Sequence, residues 1–195
     1  MTARSGRHMI RACLTQLGYP EDSYDLNEIY SRFLKLADRK GQVFDYDLEA
    51  LLFFQKQDEN ETNHFELETL NVMSGGVNHG AIPTASVRLK VGKRSRTESC
   101  TGNGPVDAVY NCISRLTGIR CKLTSYKINA NGSGMDALGE VNVNVDYNGR
   151  IFHGMGISTD VIEASALALI NACNIIERAR LIDREKVKER KEKNH

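Results

Sequence analysis

The residues best suited to chemistry are gathered in Thr101-Gly102-Asn103-Gly104-Pro105-Val106-Asp107-Ala108-Val109-Tyr110. An extended run ending near Cys100 passes here into an apolar-periodic segment carrying Val106, Val109, Tyr110 and Ile113. Two glycines let the backbone take φ > 0 or pass close to another group, and Pro105 suits a first helical turn, where its missing N–H is not needed. The spacing predicts a glycine turn whose N–H groups point outward at a helix N-terminus, a place suited to a carboxylate or phosphate. The same residues also fit a tight strand-to-helix connection that binds nothing, and the turn alone does not separate the two readings.

Other catalytic patterns are missing. Gly102-Asn103-Gly104 lacks the third glycine of a dinucleotide fingerprint and the Lys-Ser/Thr of a P-loop. His8, His64, His79, His153 and His195 are scattered, with no metal-ligand pairing to one another or to a cysteine. Gly132-Ser133-Gly134 lies in a predicted hairpin loop, outside the strand-to-helix context of a nucleophile elbow. No self-sufficient catalytic set emerges. Two glycine loops, Tyr110, Tyr126 and a helix N-terminus instead suggest a niche for a small amphiphile such as an amino acid. Leu123 and Tyr126 read equally well as sheet packing.

The composition sets the frame. The 195 residues hold one domain of ordinary size plus a small extra piece, and 41% hydrophobic residues suffice for a core. A formal charge of +1 argues against broad electrostatic binding of nucleic acid. No apolar run is long enough to span a bilayer and no signal h-region opens the chain, so no membrane partner is expected. Cys13, Cys100, Cys112, Cys121 and Cys173 form an odd set without a C-x-x-C pair, as expected of reduced thiols in a cytoplasmic protein.

Three short helices open the chain: His8 to Leu17, stopped by Gly18; Leu26 to Arg39, stopped by Gly41; and one capped by Asp45, with Phe44 as its hydrophobic staple. They form a helical subdomain over 1–56, and the polar run over 57–63 reads as a linker. From 64 to 182 the pattern changes. Phe65–Met73, Ile82–Val91 and Arg94–Cys100 alternate as strands, the glycine turn follows, and a helix runs to about Leu116. A shift of 56 then repeats the set. Phe65–Met73 falls on Cys121–Asn129, Ile82–Val91 on Leu138–Tyr147, Gly92-Lys93 on the hairpin signal Asn148-Gly149, and Val106-Asp107-Ala108 on Ile162-Glu163-Ala164. The expected fold is therefore α+β: a small helical subdomain, then two pseudo-symmetric β-β-β-α units that need each other to build a core. The last helix, from about Asp160 to Leu181, carries a stripe of small residues, and 183–195 reads as a charged tail, a solvated helical extension.

Several stretches together resemble the carboxy-terminal part of 2-isopropylmalate synthase. They are Gly102–Tyr110, Asp136-Ala137-Leu138-Gly139, Tyr147–Gly154 and Gly156–Ser165, with Ser5–His8, Phe33–Lys40 and Phe44–Leu51 resembling that family's helical linker. The resemblance covers nearly the whole chain. It implies a helical linker and a dimerising regulatory domain that binds leucine and inhibits a remote catalytic barrel, giving feedback inhibition of leucine biosynthesis. Carried over by residue, it implies effector contacts at Gly102, Gly104, Val106, Asp107, Leu123, Tyr126, Ala130 and Ala137, and at Ile157 more weakly. No catalytic or metal-binding residue and no cofactor is expected in this chain, because the family's divalent metal belongs to the barrel, whose motifs are absent here. The chain alone is expected to be inactive. Three alternatives stay open: the isoleucine-sensing part of a citramalate synthase, a dimerisation module without a ligand, and an independent small enzyme.

Overall fold

The computed structural model describes residues 1–53, 64–74, 80, 82–131 and 138–192. The chain forms two compact units, Met1–Glu61 with Arg178–His195, and Thr62–Glu177.

In the first unit, α1 (Arg7–Gln16), α2 (Leu26–Lys40) and α3 (Asp45–Phe53) gather around Ile10, Leu14, Ile29, Phe33, Val43 and Leu48. Gly18 (φ +86°) and Gly41 (φ +75°) end the first two helices in a conformation that side chains with a Cβ avoid. Asp25 caps α2, its Oδ1 accepting from the N–H groups of Asn27 at 2.8 Å and Glu28 at 3.3 Å. The entry to α3 differs from expectation. The Phe44 carbonyl already accepts from Asp47 N–H, and the Phe44 N–H donates to Asp47 Oδ2 at 2.9 Å, so Asp47, not Asp45, closes this end. Asp45 instead accepts from the Cys13 thiol at 3.3 Å.

The second unit holds two three-stranded antiparallel sheets, ordered β1-β2-β3 and β4-β5-β6. The first comprises β1 (Phe65–Met73), β2 (Thr84–Val91) and β3 (Arg94–Thr101), followed by α4 (Pro105–Thr117). The second comprises β4 (Lys122–Asn131), β5 (Leu138–Tyr147) and β6 (Arg150–Ser158), followed by α5 (Val161–Glu192). The offset of 56 extends to the register. Glu66 pairs with Lys90 and Lys122 with Asp146, and a bulge falls between Leu67 and Thr69 and again between Leu123 and Ser125. Ala85, Val87 and Leu89 are buried in the first sheet, and Val141, Val143 and Val145 at the same positions in the second. The third strand is the point of difference. A Cβ on Gly154 would collide with the Ala168 carbonyl oxygen, and one on Gly156 with that of Ala164, so α5 lies against a glycine groove. At the matching positions β3 carries Glu98 and Cys100, and α4 places Cys112, whose thiol donates to the Ala85 carbonyl at 3.4 Å.

α5 runs on past Leu181 to Glu192, the helical extension that the charged run predicts. Nothing between Leu181 and Glu192 is glycine or proline, and the charged residues there are good helix formers. Within the first unit Lys186 Nζ donates to Glu49 Oε1 at 2.9 Å and stands 4.5 Å from the centre of the Tyr19 ring. Among the described residues no helix is long and apolar enough to cross a membrane.

Candidate functional site

The glycine turn forms as the sequence predicts, and its two glycines do different work. Gly102 donates to the Pro83 carbonyl at 3.1 Å, and a Cβ there would strike the backbone of Ala108, so this glycine lets the turn press against α4. Gly104 is the N-cap of α4, extended at φ −157° and ψ 174°, and no side chain caps the helix. A Cβ at Gly104 would meet nothing within 4 Å. Asp107 turns back, its Oδ2 accepting from Asn103 N–H at 2.8 Å. The first-turn N–H groups of α4 are therefore left without a side-chain acceptor, next to a half-exposed Val106.

On β4, Leu123 and Tyr126 pair with Val145 and Val143, so they share the face on which the β5 valines are buried, and Ala130 pairs with Gly139. Leu123 remains 39% exposed on this edge strand. The Tyr126 hydroxyl lies 2.7 Å from Ser165 Oγ of α5. Beside it stands Tyr110 of α4, whose hydroxyl is buried without a hydrogen-bond partner; burial first, then Tyr126, pushes its pKa well above the ordinary tyrosine value. Ile157 pairs with Glu140 on the opposite face of the sheet and is 46% exposed. Ala137 lies outside the described residues. Ser165 and Asn174 are polar residues inside an otherwise apolar helix, and that placement is the sequence signal for their buried hydrogen bonds.

A cleft of about 480 Å³ opens between β1 and the start of α5, among Leu67, Leu70, Ser74, Asp160, Ile162 and Glu163. None of the expected effector residues lines it. The offset of 56 relates the two, however. It carries Leu67, Leu70 and Ser74 onto Leu123, Tyr126 and Ala130, and Asp160, Ile162 and Glu163 onto Gly104, Val106 and Asp107. Six of the nine expected effector residues thus fall at positions pseudo-equivalent to the lining of that cleft, and Gly102, Ala137 and Ile157 do not. Such a place offers helix N–H groups at one end and aliphatic surface at the other. Among the described residues no three His, Cys, Asp or Glu side chains gather as for a metal ion.

Comparison with known proteins agrees with this architecture. The chain is 54% identical over 187 residues to 2-isopropylmalate synthase of Campylobacter jejuni, covering 96% of this chain and 35% of that protein. It is 56% identical over 179 residues to the 2-isopropylmalate synthase of Tolumonas auensis, covering 92% of the chain and 34% of the relative. The enzyme of the same name from Aeromonas salmonicida is 55% identical over 179 residues. The chain spans about a third of the length of these relatives. Residues 42–177, which include α3 and both β-β-β-α units, match the LeuA allosteric (dimerisation) domain, and the chain belongs to that family.

Proposed function

We propose that this chain is the leucine-sensing regulatory part of a 2-isopropylmalate synthase, which condenses acetyl-CoA with 2-oxoisovalerate in leucine biosynthesis. The observation that carries the proposal is the uncapped N-terminus of α4, which together with Leu123 and Tyr126 of β4 falls, by the offset of 56, on the pseudo-equivalent of an open cleft. The leucine carboxylate would take the free first-turn N–H groups of α4. Asp107 or a backbone carbonyl would hold the ammonium, and Leu123 with Ala130 would flank the isobutyl group. Burying that group contributes on the order of 2 kcal/mol.

Regulation would act by linkage. Leucine bound preferentially to one state of a homodimer shifts the equilibrium of a catalytic barrel, and the barrel's substrates shift leucine affinity by the same factor. The divalent metal implied for such enzymes belongs to that barrel, which would work with this chain in the cytoplasm. Calorimetric titration of the chain with leucine, isoleucine and valine tests the reading. Leucine is expected to bind most tightly, although one methylene changes binding by only ~1–3 kcal/mol. Preference for isoleucine would point to a citramalate synthase, and no heat with any of the three would leave a dimerisation module.

A further inference from the structure

We infer that Asp160 shuts the cleft between β1 and α5 to the effector, so that each chain takes one ligand although its duplication builds two pseudo-equivalent helix entries. This inference rests on the effector reading above. The two helix entries occupy the same place in the repeat and are chemically opposite. At α5, Asp160 Oδ1 accepts from Ile162 N–H at 2.7 Å. Asp160 N–H is itself held by Ser158 Oγ at 3.1 Å, and Ser158 Oγ donates to Glu163 Oε2 at 2.6 Å. The protein's own carboxylate therefore sits on the amide that an amino acid's carboxylate would need. Glu163 adds negative charge around the same cleft, whereas Glu68, which also lines it, is paired with Arg88 at 2.9 Å. At α4 the corresponding residue is Gly104, which brings no side chain at all.

Nothing in the fold demands that glycine. Its backbone is extended, a conformation any residue adopts, and a Cβ would have open space. An aspartate there would cap α4 as Asp160 caps α5. A cap is thus available at both helices and is used only at the one facing the cleft between β1 and α5. Leu70 also stands where the second unit has Tyr126, so that cleft lacks the hydroxyl as well.

Stoichiometry decides the matter. Calorimetry of the full 195-residue chain with leucine is expected to give one equivalent per chain. Asp160→Gly is expected to admit a second, weaker equivalent. Gly104→Asp transplants the plug; it should raise the melting temperature by supplying a cap and weaken leucine binding by about tenfold or more, as expected for losing a charge-assisted contact. Two equivalents in the wild-type chain, one equivalent in Asp160→Gly, or unchanged affinity in Gly104→Asp would each overturn the inference while leaving the effector reading intact. No binding of leucine, isoleucine or valine by the wild-type chain would sink both. Should Asp160→Gly fail to fold, Gly104→Asp, which gains a cap, still decides.

Discussion

Tyr126 donates its hydroxyl proton to Ser165. The two oxygens are 2.7 Å apart, and Ser165 already spends its single proton on the Val161 carbonyl at 2.6 Å, one turn back in α5. The direction matters because it leaves the Tyr126 oxygen with only acceptor capacity, beside the buried and unpartnered Tyr110 hydroxyl. A strand of the candidate effector face is thereby tied to the helix that follows its own sheet. Tyr126→Phe removes the donor but leaves Ser165 still bonded to Val161. The expected loss is therefore a single ordinary hydrogen bond, about 1 kcal/mol, read as a shift in the urea midpoint. Ser165→Val removes the acceptor and strands the Tyr126 hydroxyl, so it should cost more, about 2 kcal/mol. Equal effects of the two variants would refute the assigned direction.

Asn174 predicts a larger effect from a residue with no part in any site. Its side-chain oxygen accepts from Phe65 N–H at 2.8 Å and its amide donates to the Phe65 carbonyl at 3.0 Å, closing a reciprocal pair across 109 residues. The amide is 3% exposed. Asn174→Leu keeps the volume and leaves a buried N–H and a buried carbonyl unsatisfied, each costing ~1–3 kcal/mol. Chemical denaturation should therefore show a loss of at least about 2 kcal/mol. A loss under half of that would mean that water or a shifted strand end replaces the pair.

The repeat was legible because the punctuation is local: glycine turns and the Asn148-Gly149 hairpin recur at a fixed spacing, and Asn148 does take φ +54° there. The two bulges were not legible. Ser, Thr and Leu around them are ordinary strand residues, and a bulge is a property of pairing between strands. The start of β2 at Thr84 rather than Ile82 follows from Pro83, which has no N–H to give to a ladder. The glycine turn was visible as a motif, but the separate roles of Gly102 and Gly104 needed coordinates, since only the space beside each backbone distinguishes them. The helical extension past Leu181 was legible in the sequence as well. A charged run without glycine or proline stops nothing, and Lys186 with Glu49 shows that it is not wholly solvated.

The groove under α5 can be tested directly. Gly156→Ala places a methyl against the Ala164 carbonyl and Ala168 N–H, groups that cannot move without shifting the helix. Overpacking of this kind costs typically ~1–3 kcal/mol, and contact with backbone puts it at the upper end. Cys100→Ala, at the matching position of β3, only removes sulfur and should cost about 1 kcal/mol. If the melting temperatures of the two variants fall together, α5 is not seated more closely than α4.

The thiols should differ sharply in reactivity. Burial, and then the Asp45 carboxylate that accepts its proton, push the Cys13 thiol up to about 12. Burial and then the neighbouring Cys100 push Cys112 up to about 12 as well. Cys121 moves the other way, because a hydrogen bond from Cys173 stabilises its thiolate and outweighs burial. The thiolate is the reactive form, so at mildly alkaline pH Cys121 carries the largest reactive fraction of these three. Brief alkylation of the native chain followed by peptide mass mapping should find Cys121 labelled well before Cys13 or Cys112. Asp45→Asn removes the negative charge beside Cys13, lowers that thiol's pKa and should speed its labelling while leaving Cys121 unchanged. Equal rates at Cys13 in both proteins would show that burial alone, not the carboxylate, keeps that proton in place.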